Sequence, residues 1–112
     1  MRGRSNGGRG GRPKGPAVLD ALSKNLGKIQ AFGVKRIGLF GSVLRGKAGP
    51  RSDVDVLVEF SEGKATFENL MGLYEYLTGL LGRRVDIVTK EGLSPFIGPH
   101  ILREVRYVEG AS

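Results

Sequence analysis

Four residues at fixed spacing could carry phosphate and metal chemistry in this chain: Gly41 and Ser42, followed after ten residues by Asp53 and Asp55. Glycine permits a positive φ and a close approach of the backbone to a ligand. Backbone N–H groups at a turn that begins a helix attract anions. Because serine is also a preferred helix N-cap residue, the Gly-Ser pair predicts an anion-binding turn at the start of a short helix, with Ser42 as its N-cap.

The two aspartates predict a complementary cation site. Asp53 begins a Val-rich run to Phe60 that is typical of a strand, and alternation puts Asp53 and Asp55 on one face. Carboxylates about 6 to 7 Å apart repel by roughly 2 to 3 kcal/mol at an effective dielectric of about 20, and a divalent cation would reverse this repulsion. An isolated Asp-x-Asp is more often a solvated strand end. Beside the Gly-Ser turn it predicts a pocket for Mg²⁺ and a nucleoside triphosphate.

A third acid could complete this pocket. Asp86 interrupts the apolar run of residues 83–89, which is another predicted strand. A carboxylate there is costly if buried, unless it is paired or metal-bound. One alternative is a structural salt bridge with Arg83 or Arg84. Next to the Asp-x-Asp pair, the other interpretation is an acid that binds metal or takes a proton from an acceptor hydroxyl.

Basic residues lie between the two halves of the motif. Arg45, Lys47 and Arg51 could each meet a triphosphate, although a solvated basic loop is equally common for each. Arg45 is the favoured nucleotide-binding residue because it comes three residues after Ser42. The turn is not a Walker loop, since no Gly-Lys-Ser/Thr follows Gly41.

These residues resemble the signature of the nucleotidyltransferases of the DNA polymerase beta superfamily, and most closely the minimal nucleotidyltransferases (MNT). That signature is a strand, Gly-Ser, a ten-residue gap, Asp-x-Asp and a third acid on a later strand. The matching positions in this chain are Gly41, Ser42, Asp53, Asp55 and Asp86. The resemblance in length and element order extends over about residues 17–108.

The resemblance implies a fold and an activity. The expected fold is α/β, with a small mixed sheet flanked by helices, as in the palm of polymerase beta. Gly41 and Ser42 would hold the triphosphate, and Asp53, Asp55 and Asp86 would be the catalytic, Mg²⁺-binding acids. The minimal proteins are usually partnered with an all-helical HEPN protein. Many act as antitoxins, and some transfer adenylate onto a tyrosine of the helical toxin.

Hydrophobic spacing predicts the scaffold around the motif. We expect helices over residues 16–32 and 66–82, a loop over residues 91–98, and a last helix that begins at Pro99 and has apolar residues on one side through Val108. The predicted order is therefore α-β-(turn helix)-β-α-β-α.

Charge divides the chain into two parts. Five of the 18 Lys and Arg residues lie in the first sixteen positions, without an acid among them, which leaves 13 against 11 acidic residues elsewhere. We assign residues 1–15 to a disordered Gly/Arg-rich tail and residues 16–109 to the nucleotidyltransferase domain. The tail is either an inert extension or a weak RNA-attracting arm.

Composition excludes several classes of protein. No apolar run is long enough to span a membrane, and the basic start lacks the apolar segment of a secretory signal. The absence of cysteine excludes disulfides and cysteine-based zinc sites and is compatible with the cytoplasm, where we expect this protein. With His100 as the single histidine, no Ser-His-Asp triad can be argued.

Taken together, these features predict Mg²⁺-dependent transfer of AMP from ATP to a hydroxyl on a HEPN-type partner protein, with this chain as the antitoxin. The roughly 26 residues after Asp86 are too few for an acceptor domain, which favours an acceptor on a partner. Two alternatives remain open. One is a non-catalytic antitoxin that neutralises its partner by contact, and the other is an RNA-binding module that uses the tail.

Overall fold

The computed structural model of this protein describes residues 14–109. The predicted tail therefore lies outside the described residues, except for Lys14 and Gly15. Five helices, four strands and one short 3₁₀ helix follow in the described part of the chain. In order they are α1 Gly15–Lys24, α2 Leu26–Gln30, β1 Val34–Phe40, α3 Gly41–Arg45, β2 Val54–Phe60, α4 Phe67–Leu81, β3 Val85–Thr89, the 3₁₀ helix Lys90–Gly92, α5 Gly98–Glu104 and β4 Arg106–Tyr107.

The four strands form one mixed sheet in the order β3-β2-β1-β4. Strand β1 is antiparallel to β2 and to β4, whereas β2 and β3 are parallel. A parallel pair requires a long crossover, and α4 supplies it between β2 and β3. The predicted α/β class with a small mixed sheet flanked by helices is therefore confirmed.

Helices cover both faces of the sheet. On one face α1, α2 and α4 pack on the strands, through a buried cluster that includes Leu22, Ile29, Leu73 and Leu77. On the other face Ile101 of α5 joins a smaller cluster with two strand residues, Phe40 and Leu57. Strand β2 is apolar on both sides for this reason, and its residue 55, two positions before Leu57, shares the α5 face.

The helix α4 forms where its sequence predicts. Thr66 is the N-cap, and its hydroxyl accepts a hydrogen bond from the Asn69 N–H at 3.1 Å. Gly82 ends the helix in the left-handed conformation at φ 64°. None of the described helices combines the length and the hydropathy that a membrane span requires.

The prediction of a single helix over residues 16–32 is wrong, because the helix is interrupted at Asn25. Asn25 has φ −117° and ψ 18°, and its side-chain amide donates a hydrogen bond to the Ala21 carbonyl at 2.8 Å. Asparagine competes for backbone groups in this way and so interrupts helices. The result is two shorter helices, α1 and α2.

The end of the chain also differs from the prediction. Helix α5 stops at Glu104, Val105 is extended, and β4 pairs with β1 through Gly38 opposite Tyr107. Ile101 of this helix is buried, whereas its neighbour Leu102 is exposed. A Cβ at Gly38 would lie only 2.5 Å from Val105 Cγ2, so the glycine allows β4 to close on the edge of β1.

Candidate active site

The site is built around a close contact between Gly41 and Asp55. Gly41 has φ +83°, and a Cβ at this position would overlap Asp55 Oδ2 and lie 3.0 Å from Asp55 Cγ. The contact arises because Phe40, the last residue of β1, pairs with Asp55 across the sheet. Only glycine satisfies both the positive φ and the space that the carboxylate occupies.

The sheet register brings the acids together. Asp55 and Asp86 are direct partners in the parallel pairing of β2 and β3, so their side chains leave the same face of strands about 4.8 Å apart. Asp53 precedes β2 by one residue and forms an ion pair with Arg84 at 3.3 Å. The Arg84 side chain therefore bonds to Asp53 rather than to Asp86. Asp86 itself is exposed, so burial imposes no cost on its carboxylate.

Among these acids, Asp55 has a raised pKa. Burial raises the pKa of Asp55 above its ordinary value, and the charges of Asp86 and Asp53 raise it further, with a smaller contribution from Glu104. The Arg45 guanidinium acts in the opposite direction. An added cation would relieve this repulsion directly.

The donor set fits a magnesium ion that is completed by its substrate. Within residues 14–109, no three Asp, Glu or His side chains converge closely enough to form a metal cage from protein atoms alone. Mg²⁺ is usually bound through one or two carboxylates plus substrate phosphates, which matches the Asp53–Asp55 pair. The pKa of Asp55 is raised first by burial and then by the charges of Asp86 and Asp53, and such an ion would offset both effects.

Glu104 is a part of this site that the sequence did not indicate. The Gly41 N–H donates a hydrogen bond to Glu104 Oε1 at 2.9 Å. Arg45 Nη1 donates to the same oxygen at 3.0 Å and also contacts Oε2. The Gly41 hydrogen bond, followed by the Arg45 hydrogen bond and charge, lowers the pKa of Glu104 against the effect of burial.

One weak signal for Glu104 exists in the sequence. Glu104 is the last residue of α5, and an acid at a helix C-terminus is disfavoured by the helix dipole. A hydrogen-bond donor or cation that compensates the Glu104 charge is therefore expected. The sequence does not show which residue it is, because Gly41 lies 63 residues away and Arg45 lies 59 residues away.

Ser42 does not cap the helix as predicted. Helix α3 begins at Gly41 and its N-cap is Phe40, so Ser42 is the second helical residue. Glycine at position 41 turns the chain early, because its positive φ bends the chain directly after the strand. Within residues 14–109, the partly buried Ser42 hydroxyl has no hydrogen-bond partner. A ligand could therefore use this hydroxyl without displacing a protein partner.

The basic residues of the motif loop separate in space. Arg45 reaches Glu104 on the Gly41 side of the site. Arg51 instead lines a cleft of about 210 Å³ beside Asp53, together with Arg83 and Arg84. Lys47 is exposed. The structure thus brings Arg45 next to Gly41 and leaves the other two basic residues of the loop outside this contact.

A second cleft lies between α4 and β3 and includes Asp86 in its lining. Its volume is about 350 Å³, and α4 contributes Leu70, Met71 and Tyr74 while β3 contributes Val85, Asp86 and Ile87. Met71 and Tyr74 are 39% and 38% exposed, which is high for large apolar and aromatic side chains. The third acid of the motif therefore borders an open, mainly apolar surface.

Comparison with known proteins agrees with this geometry. Residues 18–108 match the nucleotidyltransferase domain family. The chain is 47% identical over 92 residues to the protein adenylyltransferase MntA of Thermococcus cleftensis. This alignment covers 82% of this chain and 90% of that protein.

Solved structures show the same fold. One described as a minimal nucleotidyltransferase is 42% identical, has a TM-score of 0.69, and matches 81% of this chain and 89% of that one. A toxin–antitoxin complex with AMP-PNP is 21% identical, has a TM-score of 0.62, matches 79% of this chain and 73% of that one, and supports the fold alone. Because the family match extends over most of the described residues and the 47% identical relative is covered almost completely, this chain is a nucleotidyltransferase and belongs to the nucleotidyltransferase domain family.

Proposed function

We propose that this protein transfers AMP from ATP to a hydroxyl group on a partner protein in an Mg²⁺-dependent reaction, and that it is the antitoxin of an all-helical HEPN toxin. Relatives carry the name protein adenylyltransferase. A structural neighbour from Shewanella oneidensis is an MNT antitoxin in complex with a tri-AMPylated HEPN toxin, with 19% identity and a TM-score of 0.58. ATP as donor and the cytoplasm as location are parts of this proposal.

The contact of Asp55 with Gly41 is the observation that carries the proposal. It brings a carboxylate whose pKa is raised by burial and by neighbouring acids within reach of a backbone N–H that can bind an anion. A metal-bound triphosphate needs both features side by side, because its phosphates require donors and its cation requires carboxylates. A solvated Asp-x-Asp would need neither the glycine nor the close approach.

The residues divide the work of the reaction. Asp53 and Asp55 would hold Mg²⁺, which supplies neutralisation of charge on the phosphates when it is bound. The Gly41 N–H, the Ser42 hydroxyl and the Arg45 guanidinium orient the β and γ phosphates. Arg84 pairs with one oxygen of Asp53, and such exposed ion pairs are worth only about 0–1 kcal/mol, so this pair opposes ion binding little.

Asp86 is assigned the proton transfer. The acceptor oxygen forms a bond to the α-phosphorus, the bond from the α-phosphorus to the bridging oxygen breaks, and pyrophosphate leaves. The acceptor proton passes to the Asp86 carboxylate, which is exposed and lies beside Asp55 in the sheet.

The test is mass spectrometry of a HEPN-type partner after incubation with this protein, Mg²⁺ and ATP. We expect a mass gain of one or more adenylates, which is lost in Asp86→Asn. The matched control is Asp20→Asn, which makes the same change at an exposed α1 residue that forms an ion pair with Lys24. Neutralisation of the partner without a mass gain, unchanged in Asp86→Asn, would replace the proposal with the non-catalytic antitoxin.

A further inference from the structure

The Glu104 carboxylate accepts hydrogen bonds from two donors that are suited to hold the triphosphate. The Gly41 N–H and the Arg45 guanidinium converge on Glu104 Oε1, at 2.9 Å and 3.0 Å. The Glu104 side chain is 26% exposed, so this oxygen is only partly accessible to water. A backbone N–H beside a guanidinium is also a typical binding environment for a phosphate oxygen.

The fold brings Glu104 to this place from a distant part of the chain. Helix α5 packs on the face of the sheet that carries Asp55, and Ile101 anchors it against Phe40 and Leu57. Glu104 follows Ile101 by three residues and therefore lies on the same side of the helix. An apolar residue at this position could also pack at the sheet edge, whereas an acid adds negative charge beside Asp55.

We propose that the Glu104 carboxylate occupies the position of a phosphate group in the triphosphate subsite. When a nucleoside triphosphate binds, the carboxylate releases the Gly41 N–H and Arg45. This inference rests on the proposed function, because it assumes that the pocket takes a nucleotide. Glu104 is then a specificity-determining residue, since it sets how strongly the pocket prefers a triphosphate over a monophosphate.

Two physical arguments support displacement rather than shared binding. The single Gly41 N–H can donate one strong hydrogen bond, so a phosphate oxygen and the carboxylate compete for it. A retained carboxylate would also repel the triphosphate across a few ångströms. A monophosphate that is held near Asp53 and Asp55 does not reach this subsite and has no need to displace Glu104.

Displacement requires little rearrangement of the fold. Glu104 is the last helical residue, and Val105 after it is already extended at φ −59° and ψ 137°. The Val105 N–H donates to the Ile101 carbonyl at 2.8 Å, which holds the end of the helix in place. Rotation of the Glu104 side chain toward solvent is therefore sufficient to free both donors.

Calorimetric titration of the full chain with Mg²⁺–ATP, AMP and inorganic tripolyphosphate tests this inference. In Glu104→Gln, we expect ATP and tripolyphosphate to bind about tenfold more tightly, because charge-assisted hydrogen bonds are about twice as strong as neutral ones. We expect the affinity for AMP to stay unchanged. The control Glu59→Gln makes the same change at a carboxylate paired with Lys35, Arg36 and Lys90, and should leave all three affinities unchanged.

Amide NMR provides a readout that does not depend on transfer. In the wild type, tripolyphosphate should shift the Gly41 amide proton, because its acceptor changes from carboxylate to phosphate. In Glu104→Gln without ligand, the same resonance should already move upfield. A Gly41 resonance that ignores tripolyphosphate at saturation overturns the inference.

The outcomes separate this inference from the proposed function. If neither the wild type nor Glu104→Gln binds Mg²⁺–ATP, the proposed function fails and this inference fails with it. If the wild type binds ATP but Glu104→Gln binds it equally or more weakly, only the inference is wrong, and Glu104 serves to position Arg45. If Glu104→Gln does not fold, Glu104→Asp replaces it, since the shorter carboxylate reaches the two donors less well. Its affinity for tripolyphosphate should then rise, and an unchanged or lower affinity overturns the inference.

Discussion

The Asp55 carboxylate fills the space that a side chain at Gly41 would need. A Cβ there would overlap Oδ2 of Asp55, and the residue also has φ +83°. Gly41 therefore makes room for the Asp55 carboxylate as well as for a phosphate. Because it has no side chain, β2 can place this carboxylate against the start of α3.

This contact predicts the effect of Gly41→Ala. We expect loss of nucleotide binding and a lower free energy of unfolding, because both the backbone strain and the displaced carboxylate contribute. Gly46→Ala is the matched control, since Gly46 has φ +74° but a Cβ added there would meet no atom within 4 Å. Gly46→Ala should cost about 1–2 kcal/mol for the left-handed conformation alone, and Gly41→Ala should cost more. Chemical denaturation measures both, and equal costs would contradict the contact.

Asp55→Asn should remove nucleotide transfer while it keeps or raises the stability of the metal-free protein. Because the folded protein raises the pKa of Asp55, ionisation of this group opposes folding as the pH rises above 3.8. The variant should therefore be at least as stable as the wild type at pH 7, and this advantage should vanish below pH 3.8. Thermal melts in a chelator across this range test the sign. A clearly destabilised variant at pH 7 would show that Asp55 is a structural acceptor.

Ser42→Ala should weaken binding of ATP more than binding of AMP. The hydroxyl has no hydrogen-bond partner within residues 14–109, and a hydrogen bond to a charged phosphate is worth about 1.5–3 kcal/mol. Since Ser42 is not the N-cap of α3, the melting temperature should not change. Calorimetry with both nucleotides is the measurement, with Ser23→Ala on α1 as the control. An equal loss for ATP and AMP would mean that Ser42 only shapes the turn.

Gly38→Ala and Gly79→Ala should change stability in opposite directions. A Cβ at Gly38 would lie 2.5 Å from Val105 Cγ2 and 3.0 Å from the Arg106 carbonyl oxygen, so β4 must move away from β1. Gly79 lies on α4, and a Cβ added there would meet no atom within 4 Å. Alanine at this position should therefore stabilise the helix by about 0.5–1 kcal/mol. Denaturant midpoints test the pair. A neutral Gly38→Ala would show that β4 is not packed closely on β1.

Local rules account for what the sequence by itself determined. The Gly-Ser turn, the Asp-x-Asp strand and the capped helix α4 each depend on residues within a few positions of one another, so their patterns are visible in the chain. The nucleotidyltransferase family was indicated by the resemblance of the same motif to the signature of that family, and the family match over residues 18–108 confirms it. The break at Asn25 is also local, but asparagine competes with the helix through a side-chain bond that periodicity does not reveal.

Tertiary structure alone decided which distant groups meet. The register that sets Asp55 beside Asp86 depends on the crossover through α4, and the place of β4 depends on the open edge of β1 and the missing side chain of Gly38. Glu104 reaches Gly41 only because α5 packs on the face of the sheet that carries Asp55. Such contacts join residues dozens of positions apart, and hydrophobic periodicity specifies which face is buried but not which polar group lies across from it.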